Sequence, residues 1–254
     1  MGKYFLCMFI AVFLISGLST DIMAEKSALD DTNFSAKLAL TTDYVSRGVS
    51  ISDEDPAIQG TFDYAHPAGP FIGIWGSSWD DTGYSNDIEL GYYAGFSNAI
   101  RSLNYSIWAT YYQYPGAQDQ GFEFDYWEFT GGLYYTIEAV LLKPALSVEY
   151  YFSPEYSGED GLFHHASGAV DFSLPKDLTL RMLIGYKNVE GDKSTGNGLG
   201  MDGGDGYDYI HWKLGLSTVL KGFTLDVSYH DTNEHDYFGS PGEGRVVFTM
   251  SRKM

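Results

Sequence analysis

The run Ile88-Glu89-Leu90-Gly91-Tyr92-Tyr93-Ala94-Gly95-Phe96-Ser97 decides the fold. Ile88, Leu90, Tyr92, Ala94 and Phe96 fall on one side of a period of two, and Glu89, Gly91, Tyr93, Gly95 and Ser97 on the other. A helix would scatter both sets around its axis, whereas an extended strand sends them to opposite faces. The pattern recurs along the chain. Phe34, Ala36, Leu38, Leu40 and Tyr44 oppose Lys37, Thr41, Asp43 and Arg47; Ile58, Phe62 and Tyr64 oppose Gln59, Thr61 and Asp63. Leu146, Val148, Tyr150 and Phe152 oppose Ala145, Ser147, Glu149 and Tyr151; Phe223, Leu225, Val227 and Tyr229 oppose Thr224, Asp226, Ser228 and His230. Two stretches read less cleanly: 70–79 is apolar on both faces, and 122–136 fits either register.

The connections between these strands alternate in length. Long ones at 46–56, 79–87, 114–121, 153–161, 187–206 and 231–244 are separated by shorter ones at 66–69, 97–102, 136–143, 174–177 and 220–222. Long loops on one side and short turns on the other are the rule for transmembrane β-barrels. The expectation is an all-β, up-and-down antiparallel barrel of about twelve strands, with both termini on the side of the short turns.

Residues 1–24 read as a signal peptide: Lys3, then an apolar run from Tyr4 to Leu18, then Ile22-Met23-Ala24 before the cut. The run is short of the roughly 20 residues that a spanning helix needs. Residues 25–254 are then one barrel domain, and the single cysteine, Cys7, falls in the leader. With no disulfide to staple it, an exported chain must be held by its hydrogen-bond network, which a closed barrel supplies. The formal charge of −19 leaves no basic footprint for nucleic acid. Aromatic residues make up 17% of the chain, with 21 tyrosines, as expected where Tyr and Trp form girdles at two membrane interfaces.

Several blocks carry a family resemblance. Asp43-Tyr44-x-x-Arg47-Gly48-x-Ser50 is followed by Pro56-Ala57-x-Gln59-Gly60-x-Phe62-Asp63-Tyr64 and by Gly69, Gly73, Trp75 and Ser77. Ile88-Glu89-Leu90, Ser153-Pro154-Glu155-Tyr156, Tyr209-x-x-Trp212-Lys213-x-Gly215 and Tyr229-x-Asp231-Thr232 continue the series in order. Together they resemble the TorF family of porins, a proteobacterial family formerly described only as of unknown function. Gly91 and His211 stand where that family would carry acids. The resemblance implies an outer-membrane channel of a Gram-negative bacterium that passes small polar solutes, with trimethylamine N-oxide a proposed one. Implied partners are outer-membrane lipid, lipopolysaccharide and the barrel-assembly machinery; no cofactor is implied.

If the polar face is lumenal, the pore lining comprises Lys37, Asp43, Arg47, Asp63, Glu89, Glu128, Glu149, Asp171, Arg181, Lys213 and Asp226. Acids lead, which favours cations or zwitterions over anions if the lumen is open. The alternative is a closed structural or adhesion barrel whose interior charges pair across strands. Asp43 and Arg47, read as one strand face about 13 Å apart, should pair elsewhere rather than with each other. His165 and Ser167, two apart on a strand, resemble a His-x-Ser hydrolase pair; the expectation nevertheless is that the protein is not an enzyme. Gly203-Gly204-Asp205-Gly206-Tyr207-Asp208 fits one copy of a calcium-binding nonapeptide, which normally stacks in several repeats. Asp205 and Asp208 are therefore weak metal candidates, and no metal site is expected.

Overall fold

The computed structural model describes residues 30–79, 87–117, 123–158, 160–191 and 206–254. The leader expected over 1–24 lies outside them, as does Asp205. In chain order the strands are β1 (Phe34–Thr41), β2 (Val45–Ser46), β3 (Val49–Ser50), β4 (Ala57–Ala65), β5 (Pro70–Ser78), β6 (Ile88–Ile100) and β7 (Leu103–Gln113). They continue as β8 (Tyr126–Thr136), β9 (Ala145–Ser153), β10 (Phe163–Leu174), β11 (Leu178–Val189), β12 (Tyr207–Leu220), β13 (Phe223–Thr232) and β14 (Arg245–Lys253), with a single helical turn, α1 (His235–Phe238), before the last.

Twelve of these strands, all but β2 and β3, form one closed antiparallel barrel in which each pairs with its neighbour in sequence. β1 bonds to both β4 and β14, which closes the ring and leaves no open edge. The short connections are tighter than the sequence suggested. β6 and β7 meet at Arg101-Ser102 rather than across 97–102, with Arg101 at φ 56°; β12 and β13 meet at Lys221-Gly222, with φ 51° and 82°. Two successive positive φ values are the mirror-image turn that matches strand twist, and Gly222 accepts it without strain.

Outside, the barrel is apolar around its whole waist. Leu38, Ile58, Ile72, Ile107, Val148, Ile184, Leu214 and Val246 are each half exposed or nearly so. Aromatic rings border this belt on both sides. Tyr111 and Trp127, with centroids 5.1 Å apart, join Tyr150, Tyr186 and Tyr229 towards the long loops, while Phe34 against Tyr64 (5.0 Å) and Phe96 against Tyr105 lie towards the turns. Such a belt far exceeds the apolar patches that soluble monomers tolerate, and its layout is that of a transmembrane barrel.

The register also explains the two stretches that the sequence left ambiguous. In β5, Ile72 and Ile74 face out while Phe71 and Trp75 face in. Both faces read apolar because the inner one carries aromatic rings. In β8, Tyr126, Glu128 and Thr130 are buried inside and Trp127, Phe129 and Leu133 face out.

Candidate functional site: the hairpin inside the lumen

β1 ends at Thr41, two residues before Asp43, and the chain then turns into the barrel instead of out over its rim. Val45-Ser46 and Val49-Ser50 pair as a two-rung hairpin with Arg47 (φ 50°) and Gly48 (φ 85°) at its tip. Gly48 is the point of closest approach: a Cβ there would lie 2.6 Å from the Cβ of His211 on β12 and 2.7 Å from Cγ2 of Thr232 on β13. The hairpin therefore leaves β1, touches the wall at β12 and β13, and sends Arg47 to the far side. The Arg47 guanidinium donates to Oε2 of Glu128 on β8 at 2.6 Å and lies 4.6 Å from the Phe163 ring centroid and 5.1 Å from that of Tyr151.

Asp43 fixes the root of the hairpin. Its Oδ1 accepts from the hydroxyls of Ser50 (2.7 Å) and Ser52 (3.0 Å), and its Oδ2 from Arg245 on β14 (3.0 Å). Tyr44 donates to Oε2 of Glu89, whose Oε1 accepts from Tyr114, both at 3.0 Å. One strand end, one serine pair and two tyrosines thus hold the loop in place with charge-assisted hydrogen bonds, the stronger class.

This geometry corrects several expectations. Tyr44 is not on the lipid face with Leu40; it lies inside, its ring 5.8 Å from Trp75. The connection 46–56 is not simply an outer loop, because its first part enters the lumen. Asp43 and Arg47 do not share a strand face, since no strand spans them, so their expected separation along one does not apply; each pairs elsewhere, Arg47 with Glu128 and Asp43 with Arg245. The signal for the hairpin was present in Val45-Ser46-Arg47-Gly48-Val49-Ser50, a repeated dipeptide flanking a turn pair.

The remaining predicted lining residues sit on inward positions of their strands. Asp63 accepts from Tyr93, and Glu149 from Tyr134 (2.7 Å) and Tyr151. Asp171 faces Arg181 at 3.5 Å, and Lys213 lies 3.7 Å from Asp226. Lys37 is on the inner side of β1, opposite Thr61 and Lys253. The sequence reading missed three bases, one of them Lys253 opposite Lys37. Arg245 holds Asp43, and Lys187 on β11 is buried between the rings of Tyr156 (4.8 Å) and Tyr207 (5.1 Å). Strand parity with Arg181 identifies Lys187, and with these three the expected acid majority inside vanishes.

What replaces it is a separation of charge. Asp63, Glu89, Glu128 and Glu149 line β4–β9, where no inward position holds a base. Arg181, Lys187, Lys213, Arg245 and Lys253 line β11–β14, with Asp171 and Asp226 beside two of them. Below the hairpin, on the β4–β8 wall, is a cavity of about 540 Å³. Above it the lumen is packed: Phe163, Ser153 and Thr232 are fully buried, and Tyr114, Phe124 and Tyr126 cluster under the loops.

The other candidates do not assemble. His165 Nε2 meets His211 Nε2 at 2.9 Å, and the described hydrogen bonds join neither ring nitrogen to Ser167. Asp208 lies on the outer face and accepts from Tyr186 at 3.2 Å. Among the described residues no group of three His, Asp or Glu side chains could hold a metal ion.

The family described as bacterial protein of unknown function (Gcw_chp) matches residues 25–252. Among curated proteins none matches the sequence. The barrel superposes on the NanC porin with a TM-score of 0.52 at 9% identity, covering 86% of this chain and 97% of that one. OprD, an outer membrane protein from Pseudomonas aeruginosa, gives 0.45 at 10% identity over 87% of this chain and 65% of its own. LpxR from Salmonella typhimurium gives 0.45 at 8% identity over 87% and 99%.

Proposed function

We propose that this chain, which belongs to the Gcw_chp family of bacterial proteins, is an outer-membrane channel of the TorF porin type for passive passage of small polar solutes. It spans the outer membrane of a Gram-negative bacterium with its long loops outside and its termini in the periplasm, after removal of residues 1–24. Lipid and lipopolysaccharide surround it, assembly machinery inserts it, and it has no catalytic role.

The observation that carries this reading is the hairpin at 45–50, held across the lumen by Arg47 and Glu128 above an aromatic cavity. A barrel filled only for stability has no use for a loop that narrows one level and leaves space below it. The fold shared with the NanC porin supports the reading. The acidic β4–β9 wall facing the basic β11–β14 wall would orient zwitterions as they pass, and a cation would travel along the acidic wall, where Glu149 stands without a base. Reversal potential across a salt gradient tests it: the wild type should favour cations weakly, and Glu149→Gln should reduce that preference. An unchanged potential would remove Glu149 from the passage.

A second reading, a closed structural barrel, is favoured by the burial of Phe163, Ser153 and Thr232 above the hairpin. Absence of current from the reconstituted protein would select it.

A further inference from the structure

The cavity below the hairpin is built unlike the rest of the lumen. Its wall presents Phe71 and Trp75 from β5, Tyr93 from β6, Trp108 from β7 and Tyr134 from β8. Three of these rings lie against glycines: a Cβ at Gly73 would run into the Tyr93 ring and one at Gly95 into Phe71, both across a strand pair, and one at Gly132 into Tyr134 on the same strand. Each glycine leaves the space that the end of a ring fills, so the rings pack close against the sheet. Tyr93 and Tyr134 are fixed in that pose because their hydroxyls donate to Asp63 and Glu149.

Between the rings stand groups that can donate hydrogen bonds. Inward positions of β7 read Ser106, Trp108, Thr110 and Tyr112, placing a hydroxyl about 7 Å along the strand on either side of the Trp108 ring. Among the described residues, no hydrogen bond engages the indole N–H of Trp75 or Trp108, or the hydroxyl of Thr61 or Thr110. An indole N–H only donates, so a ligand that satisfies it must bring an acceptor. No basic side chain lines the cavity.

We infer that this cavity is a binding subsite for a neutral sugar ring. The apolar face of a pyranose stacks on aromatic rings, and its hydroxyl oxygens accept from the indole N–H groups and the threonine hydroxyls. Its own hydroxyls donate to the hydroxyl oxygens of the lining Ser97 and Thr61. An anion would meet Asp63 and Glu149 with no base to offset them. A quaternary ammonium ion could stack on the rings but has no acceptor for the donors, which would stay unsatisfied. This inference rests on the channel reading in taking the lumen to be open to solutes.

The test is calorimetric titration of the full mature chain in detergent micelles with maltose as the neutral probe and tetramethylammonium and acetate as charged ones. Maltose should bind saturably. Thr110→Val, which removes one hydroxyl at nearly constant volume, should weaken it about tenfold, the loss of one ordinary hydrogen bond. Trp108→Ala should abolish binding. Absence of saturable maltose binding, or binding that neither substitution alters, overturns the proposal; saturable tetramethylammonium binding in its place assigns the cavity to organic cations. Current measured on the same preparation separates the two claims. Binding without current removes the channel and keeps the subsite, whereas current without maltose binding removes the subsite alone.

Discussion

Gly48 and Arg47 show how much one turn decides. Gly48 sits at φ 85° with His211 and Thr232 where a Cβ would go, so Gly48→Ala meets both a backbone and a steric penalty. The left-handed backbone alone costs about 1–2 kcal/mol for a residue with a Cβ, and the contacts add to it. The urea midpoint of the reconstituted barrel should fall; an unchanged midpoint would mean that the hairpin does not press on β12 and β13. The sequence showed the Asp43-Tyr44-x-x-Arg47-Gly48-x-Ser50 block as a family signature but not as a hairpin. Alternation counted from Phe34 continues smoothly through Asp43 and Arg47, and parity alone cannot tell a strand from a chain that has left the sheet. The hydrogen bonds of Asp43 to Ser50 and Ser52 close loops of seven and nine residues, the one to Arg245 spans 202, and none of them leaves a periodic trace.

At the scale of single elements, the strands were legible because lipid imposes a strict outer face. Val148→Arg, on the outer face of β9 at the middle of the belt, should cost about 2–4 kcal/mol. Ser147→Arg, its neighbour on the inner face, should cost far less; equal losses would place β9 in the wrong register. The same tolerance does not extend to every inward position. Thr41 and Ser228 are buried, and Thr41 donates to the carbonyl of Asp43, so Arg at either would collide with the packed interior under the hairpin. The loop helix α1 carries a pH response. His235 Nε2 lies 2.8 Å from Asp231 Oδ1, and that hydrogen bond holds the imidazole above its ordinary range. A raised folded value means that the pairing stabilises the loop below the ordinary histidine pKa and is lost as pH rises through the folded one. NMR titration of His235 should give a midpoint above the usual 6.5, and a lower one in Asp231→Asn. A normal midpoint in the wild type would show that the pair does not form.

For the whole molecule, the closed ring of strands and the alternation of loops and turns followed from the sequence, because a barrel repeats one local rule. The lumen did not. Its contents depend on which side chains meet across some dozen strands, and on a loop that folds back among them. The result is a lumen narrowed by Arg47 and Glu128, acidic on β4–β9 and basic on β11–β14, with an aromatic cavity below. Single-channel conductance in planar bilayers tests this most directly, with wild type compared against Arg47→Ala. The wild type should give discrete openings, and the variant larger ones, because the guanidinium that crosses the lumen is gone. Equal conductance in both would contradict the hairpin as the constriction, and silence from both would contradict the channel.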